Sequence, residues 1–132
     1  MESLHLSTRI ERPADEVYAY AGDPAQLPAW AAGLGGSIEL VDGRWIAASS
    51  PMGRVEVTFA PRNPYGVLDH EVRLPGGETV YNPLRVIPDG PDACEVVFTV
   101  RQRAGESEAD FRRDAAAVEK ELATLKRLLE RG

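Results

Sequence analysis

Two polar residues stand where the pattern around them calls for apolar ones. In VLDHEVRLPGGETVYNPLRV, Val67 to Val86, two β-prone segments flank a Pro-Gly-Gly turn. Alternation puts His70 and Asn82 on the inward side of their strands. A three-residue turn at Pro75-Gly76-Gly77, with Gly77 in the left-handed region, pairs Leu74 with Glu78, Val72 with Val80 and His70 with Asn82. The same register aligns Leu68 with Leu84, and a one-residue slip would turn the second strand over. His70 and Asn82 are then direct neighbours, with Cβ atoms about 5 Å apart and about 14 Å from the turn. Two inward polar groups in apolar surroundings must be satisfied by each other, by water or by a ligand. As a mutual pair they would set the register. Facing a cavity they would orient a ligand carbonyl or hydroxyl, and a neutral imidazole there makes His70 the candidate general acid or base.

Other chemistries find less support. The chain has two histidines, of which His5 falls on an outward face, and one cysteine, so no metal site is expected. There is no Gly-x-Ser-x-Gly elbow, and Cys94, in the strand-like ACEVVF, reads as a buried structural thiol with no neighbouring histidine. Asp69 and Glu71 have outward parity, which leaves no inward carboxylate pair, and Glu119 and Glu121 read as the solvated face of a helix. GLGG leads into a strand, so no phosphate loop and no cofactor is implied. The aromatic candidates for a ligand wall are Trp30, Trp45, Tyr18, Phe59, Phe98 and Phe111, each with core packing as its alternative. Tyr81, one residue before Asn82, faces outward unless Pro83 marks a bulge.

The elements that must position these residues follow from period and punctuation. LHLSTRI alternates as a half-buried strand. RPADEVYAYAG is a short helix with Pro13 in its first turn, stopped by Gly22-Asp23-Pro24. A second short helix has Asp23 as N-cap and Pro24 at its first position, is perturbed by Pro28 and ends near Gly33. SIELVDGRWIAA forms a hairpin around Asp42-Gly43 that pairs Leu40 with Trp45. GRVEVTFAP turns Val55, Val57 and Phe59 inward. VLDHEVRL and TVYNPLRVI make a second hairpin, and ACEVVFTVR aligns Cys94, Val96, Phe98 and Val100 on one face. Ser107 opens a long last helix, whose stripe Phe111, Ala115, Val118, Leu122, Leu125 and Leu129 is apolar throughout. The expected architecture is α+β: seven antiparallel strands curled around a long C-terminal helix, with two short helices after the first strand. The 132 residues, 43% hydrophobic and 27% charged, suit one domain spanning 1–132.

That order, together with IERPADEVYAYAGDPAQLPAW, resembles the START-like helix-grip superfamily, also called SRPBCC, and within it the bacterial polyketide cyclase/dehydrase-like group. The resemblance runs from about Leu4 to Arg131. It implies a hydrophobic cavity between the helices and the sheet, with a mouth near Ser49–Gly53 and Leu74–Glu78. The function expected is binding of a small hydrophobic ligand: a lipid, an isoprenoid or an aromatic polyketide-like molecule. A cyclase, dehydrase or aromatase using the same cavity is the alternative, and a partner-binding module with a filled core is the third. A net charge of −6 disfavours nucleic acid and anionic membranes as partners. No segment reads as a signal peptide or a membrane span. The expectation is therefore a cytoplasmic protein, monomer or homodimer.

Overall fold

The computed structural model describes residues 2–31, 33, 36–50 and 53–131, the side chains of residues 49 and 50 excepted. Strand β1 (Ser3–Ile10) runs into α1 (Ala14–Ala21), a 3-10 turn (Pro24–Gln26) and α2 (Leu27–Trp30). Strands β2 (Glu39–Val41), β3 (Arg44–Ser50), β4 (Gly53–Phe59), β5 (His70–Arg73), β6 (Thr79–Asn82), β7 (Leu84–Pro88) and β8 (Cys94–Arg101) follow, and α3 (Glu108–Arg131) closes the chain. Local chemistry sets many of these boundaries. Asp23 accepts from the Ala25 N–H, and the Ser107 hydroxyl accepts from the Asp110 N–H as the cap of α3. Asp42 and Gly43 both have positive φ, as a two-residue hairpin turn requires, and Leu40 pairs with Trp45.

The sheet differs from the seven-stranded expectation. Among the described residues, eight antiparallel strands divide into a group β1-β8-β7 and a group β2-β3-β4-β5-β6. The extra strand arises at Pro83, which splits TVYNPLRVI: β6 pairs with β5 and β7 pairs with β8. Proline has no N–H to give to a ladder, so the chain changes partner there. The two groups still meet at this seam. Pro83 O accepts from the Thr99 N–H, Leu84 O accepts from the Leu68 N–H, and Val67 bridges Arg85. The register of the second hairpin is as expected, with His70 opposite Asn82 and Val72 opposite Val80. The Leu74 N–H donates to Glu78 O, and Gly77 has φ +92°.

At 24 residues, α3 is about 36 Å long. It packs on β1 and β8 and touches α2. Phe111, Leu122 and Leu125 enter a core shared with Ile10, Leu84 and Val96. Ala47, Val55 and Val72 form a smaller apolar cluster with Ile38 and Leu74. No helix among the described residues is long and apolar enough to cross a membrane.

Candidate functional site

A cavity of about 390 Å³ opens between the sheet, α2 and α3. Its sheet wall is built from β5, β6 and β8 and carries His70, Val72, Val80, Asn82, Phe98 and Val100. Period two delivers these residues to one face: His70 and Val72 lie two apart on β5, and Val80 and Asn82 lie opposite them on β6. Its helix wall carries Leu27, Trp30 and Ala31 from the α2 region, and Asp114, Ala117, Val118 and Glu121 from α3. The α3 residues recur at spacings of three, one and three, a stripe beside the core stripe.

His70 is 6% exposed. Its ring sits 5.0 Å from Phe59 and 5.9 Å, edge-on, from Phe98. Nδ1 lies 3.1 Å from the carbonyl oxygen of Leu68. A carbonyl only accepts, so Nδ1 carries the proton and Nε2 is left as an acceptor. Burial pushes the imidazole pKa below its usual 6.5, against smaller opposing effects of the Leu68 carbonyl and Asp69. Asn82, its cross-strand neighbour, makes no side-chain hydrogen bond to it among the described residues. The pair is adjacent, as the register demands, but not bonded to each other.

Of the other aromatic candidates, Trp30 and Phe98 line the same cavity. Phe59 stands behind His70 and touches its ring. Phe111 is fully buried in the core below α3. Trp45 is half-buried on β3, opposite Val57, while its hairpin partner Leu40 is 59% exposed. Tyr18 belongs to a separate open groove, where its hydroxyl accepts from the Asn63 N–H and Arg62 lies over its ring. Of the two segments expected at the mouth, Leu74 and Glu78 line the cavity, with Thr79 just beyond them. Pro51 and Met52, with the side chains of Ser49 and Ser50, lie outside the described residues.

Three acids behave differently from the solvated or outward roles their positions suggest. Glu121 lines the cavity, accepts from the Gly33 N–H at 3.1 Å, and has its carboxyl pKa raised by burial. Asp114 stands at the rim. Partial burial and the adjacent Glu106 carboxyl push it up to about 6, while Glu106 is held down by hydrogen bonding to Asp114 and Arg103. Asp69 has the outward parity expected, yet is 5% exposed. It accepts from the Arg85 guanidinium, the Tyr81 hydroxyl and the Leu84 N–H, closing the β5–β6–β7 seam on the face opposite His70. Sequence spacing contains one signal for Glu121: it lies three residues after Val118 and four before Leu125, between two inward positions. Trp30 adds an unusual feature, since its indole N–H is buried without a hydrogen-bond partner among the described residues. Cys94 is a buried free thiol whose pKa burial raises, which makes it inert. Among the described residues no group of three or more His, Cys, Asp or Glu is placed to hold a metal ion.

This grip of helices on a sheet has a family. A model described as polyketide cyclase/dehydrase and lipid transport matches residues 1–130. The chain belongs to that family. It is a START-like, SRPBCC protein of the polyketide cyclase/dehydrase group. Among solved structures, XoxI from Bacillus cereus is similar with a TM-score of 0.74 at 14% identity, over 97% of this chain and 95% of that one. Truncated norcoclaurine synthase from Thalictrum flavum reaches 0.66 at 13% identity, over 97% and 92%. The di-domain ARO/CYC protein BexL reaches 0.71 at 17% identity, over 98% of this chain and 47% of that one. At such identities these likenesses establish the fold of this family member. No curated protein sequence matches the chain.

Proposed function

We propose that the protein binds a small hydrophobic molecule of lipid, isoprenoid or aromatic polyketide-like chemistry in the cavity between α3 and the sheet. The observation that carries this reading is the pair His70–Asn82. Two polar side chains lie side by side on the cavity wall without bonding each other, and each has hydrogen-bonding capacity to spend on a ligand. A volume of about 390 Å³ falls within the ~300–1,000 Å³ of small-molecule sites. Apolar contact with Val80, Phe98, Val100 and Val118 supplies affinity, and the polar pair supplies orientation. The reading places the protein in the cytoplasm as a monomer or homodimer, with a small molecule rather than nucleic acid as its partner.

Native mass spectrometry of protein purified from its own host tests this. A bound small molecule that leaves on denaturation is the expected result. Protein that is ligand-free, and that takes up nothing from a host lipid extract, would overturn the reading in favour of a partner-binding module. A cyclase, dehydrase or aromatase is the second reading, favoured by His70 Nε2, whose lone pair meets no hydrogen-bond donor among the described residues and can take a proton.

A further inference from the structure

The rim of the cavity carries a charge arrangement that holding an apolar molecule does not require. The segment joining β5 to β6 brings Glu78 to it, the loop after β8 brings Arg103 and Ala104, and α3 brings Asp114. Glu106 ties that loop together. Its Oε1 accepts from the Arg103 N–H at 2.9 Å, its own N–H donates to Arg103 O, and its carbonyl accepts from the Gln102 side-chain amide. Its side chain is 6% exposed, and Oε2 is buried with no hydrogen-bond partner among the described residues. The Arg103 guanidinium stands 3.6 Å from Oε2 and 3.8 Å from Glu78 Oε1, ion-pair distances too long for hydrogen bonds. The other group against Glu106 is the Asp114 carboxyl. A carboxylate only accepts, so Asp114 can satisfy a carboxylate oxygen only while it carries a proton.

We propose that one proton, shared between Asp114 and Glu106, latches the cavity rim: while it is held, the loop after β8 is drawn onto α3 and, through Arg103, towards the β5–β6 turn, and when it leaves the rim opens. Only the role of the rim as an entrance rests on the cavity-binding reading. Once the proton leaves, Glu78, Glu106 and Asp114 share the Arg103 guanidinium, and two carboxylates face each other. Like charges in contact repel, and a buried oxygen without a donor is satisfied only where water can reach it. Gly105, at φ +81° with open space around it, gives the loop a point on which to swing. Burial, and then the Glu106 carboxyl, push Asp114 up to about 6 from its ordinary 3.8. The closed rim therefore holds the proton more tightly than the open one. Closure is strongest below the ordinary carboxylate value, weakens as pH rises, and is weakest once Asp114 is ionised above about 6. The groups facing Asp114 are Glu106 and Arg103 from the loop and Asp110, ion-paired with Arg113, from its own helix. Glu78, Arg101, Glu121, His70 and Tyr81 are the other titratable or charged groups on the cavity wall.

Amide exchange of the ligand-free protein, followed by NMR, tests the latch without any ligand. Protection factors, which remove the intrinsic pH dependence of exchange, should fall for the Arg103 and Glu106 amides between pH 5 and pH 7.5. The linkage gives up to about tenfold, trimmed by solvent because Asp114 is exposed. Asp114→Asn offers Glu106 an N–H donor at every pH and should keep both amides protected throughout. Asp114→Ala offers none and should leave both open throughout. Thermal melts establish that each variant is folded. Glu121→Gln removes the other cavity carboxyl raised by burial and should keep the wild-type pH dependence. Wild-type protection that does not change with pH, or a change that persists in Asp114→Asn, would overturn the inference. Nile red, a neutral apolar dye, reads the entrance by stopped-flow fluorescence. It should enter the wild type faster at pH 7.5 than at pH 5, and Asp114→Asn at one rate. Equal entry rates into the wild type would overturn the inference, because the rim would then move without gating the cavity. Amides that switch while no dye binds at either pH would support the latch and count against the cavity-binding reading alone.

Discussion

His70 opens β5 and Asp69 directly precedes it on the opposite face, and their environments lower both pKa values for opposite reasons: burial disfavours the charged imidazole, whereas Arg85 favours the charged carboxylate. His70 has its Nδ1 proton on Leu68 and its ring between Phe59 and Phe98. His70→Ala removes the ring contacts but leaves a gap that opens into the cavity, where water can enter. The expected cost is about 1–2 kcal/mol of stability, read from urea midpoints, and ligand affinity falls about tenfold or more, read by native mass spectrometry. A larger stability loss with unchanged affinity would make the residue structural. Asp69 shows the converse. The Arg85 guanidinium, foremost, with Tyr81 and the Leu84 N–H, holds its carboxyl well below the usual carboxylate range. Its stabilisation is complete above the ordinary carboxylate pKa of about 4 and is lost as pH falls towards the depressed native value. Asp69→Asn keeps an acceptor for Leu84 but loses the charge, at about 1–3 kcal/mol. Between pH 6 and pH 3 the variant should lose less stability than the wild type; equal losses would show that Arg85 does not hold the carboxylate.

Glycines at the two ends of the β5 segment are constrained for different reasons. Gly66 has φ +73°, and a Cβ there would collide with the carbonyl oxygen of Val86, whose N–H in turn donates to Gly66 O. Gly66→Ala would push β7 away from its neighbour, so a loss of about 3 kcal/mol or more is expected. Gly77 also has positive φ, but open space surrounds it. Gly77→Ala should cost only the backbone term, about 1 kcal/mol. Similar losses in thermal melts of the two variants would argue against the close approach of Gly66 to β7. On the helix side, Leu122→Asp would place an unpaired carboxylate at a site 2% exposed in the core under α3. That should unfold the protein or cost more than about 4 kcal/mol. A wild-type melting curve would remove α3 from the core. At this scale the hairpin registers and the faces of β4 and β8 were legible, because turn residues and period two act locally. The split at Pro83 was legible only as a possible bulge, since its consequence depends on which strand waits on the far side.

In the molecule as a whole, the cavity lies where α3 leaves part of the curled sheet uncovered, with α2 closing one side. The segment Leu74–Glu78 contributes to its edge and includes the exposed turn Pro75–Gly77. Exposed turns with few packed neighbours open readily. Hydrogen exchange should therefore find Leu74–Glu78 poorly protected in the free protein and slowed when a ligand fills the cavity. Protection gained only on the outward sheet face, at Arg73 and Glu71, would place the entrance elsewhere.

Sequence alone determined the alternation of each strand, the turn at Pro75–Gly77, the adjacency of His70 and Asn82, the cap at Ser107 and the apolar stripe of α3. These depend on residues within a turn or a strand of one another, and their periods are fixed by backbone geometry. Tertiary structure decided what covers each face. Parity placed Asp69 outward, but only the approach of Arg85 and Tyr81 buries it. Glu121 reads as solvated until α2 brings Gly33 against it and the cavity opens beside it. Trp30 reads as core or ligand wall, and only the fold shows it buried with an indole N–H that has no partner among the described residues. Burial is a property of the neighbours that arrive from elsewhere in the chain, which is why the faces were readable from sequence and the environment of each face was not.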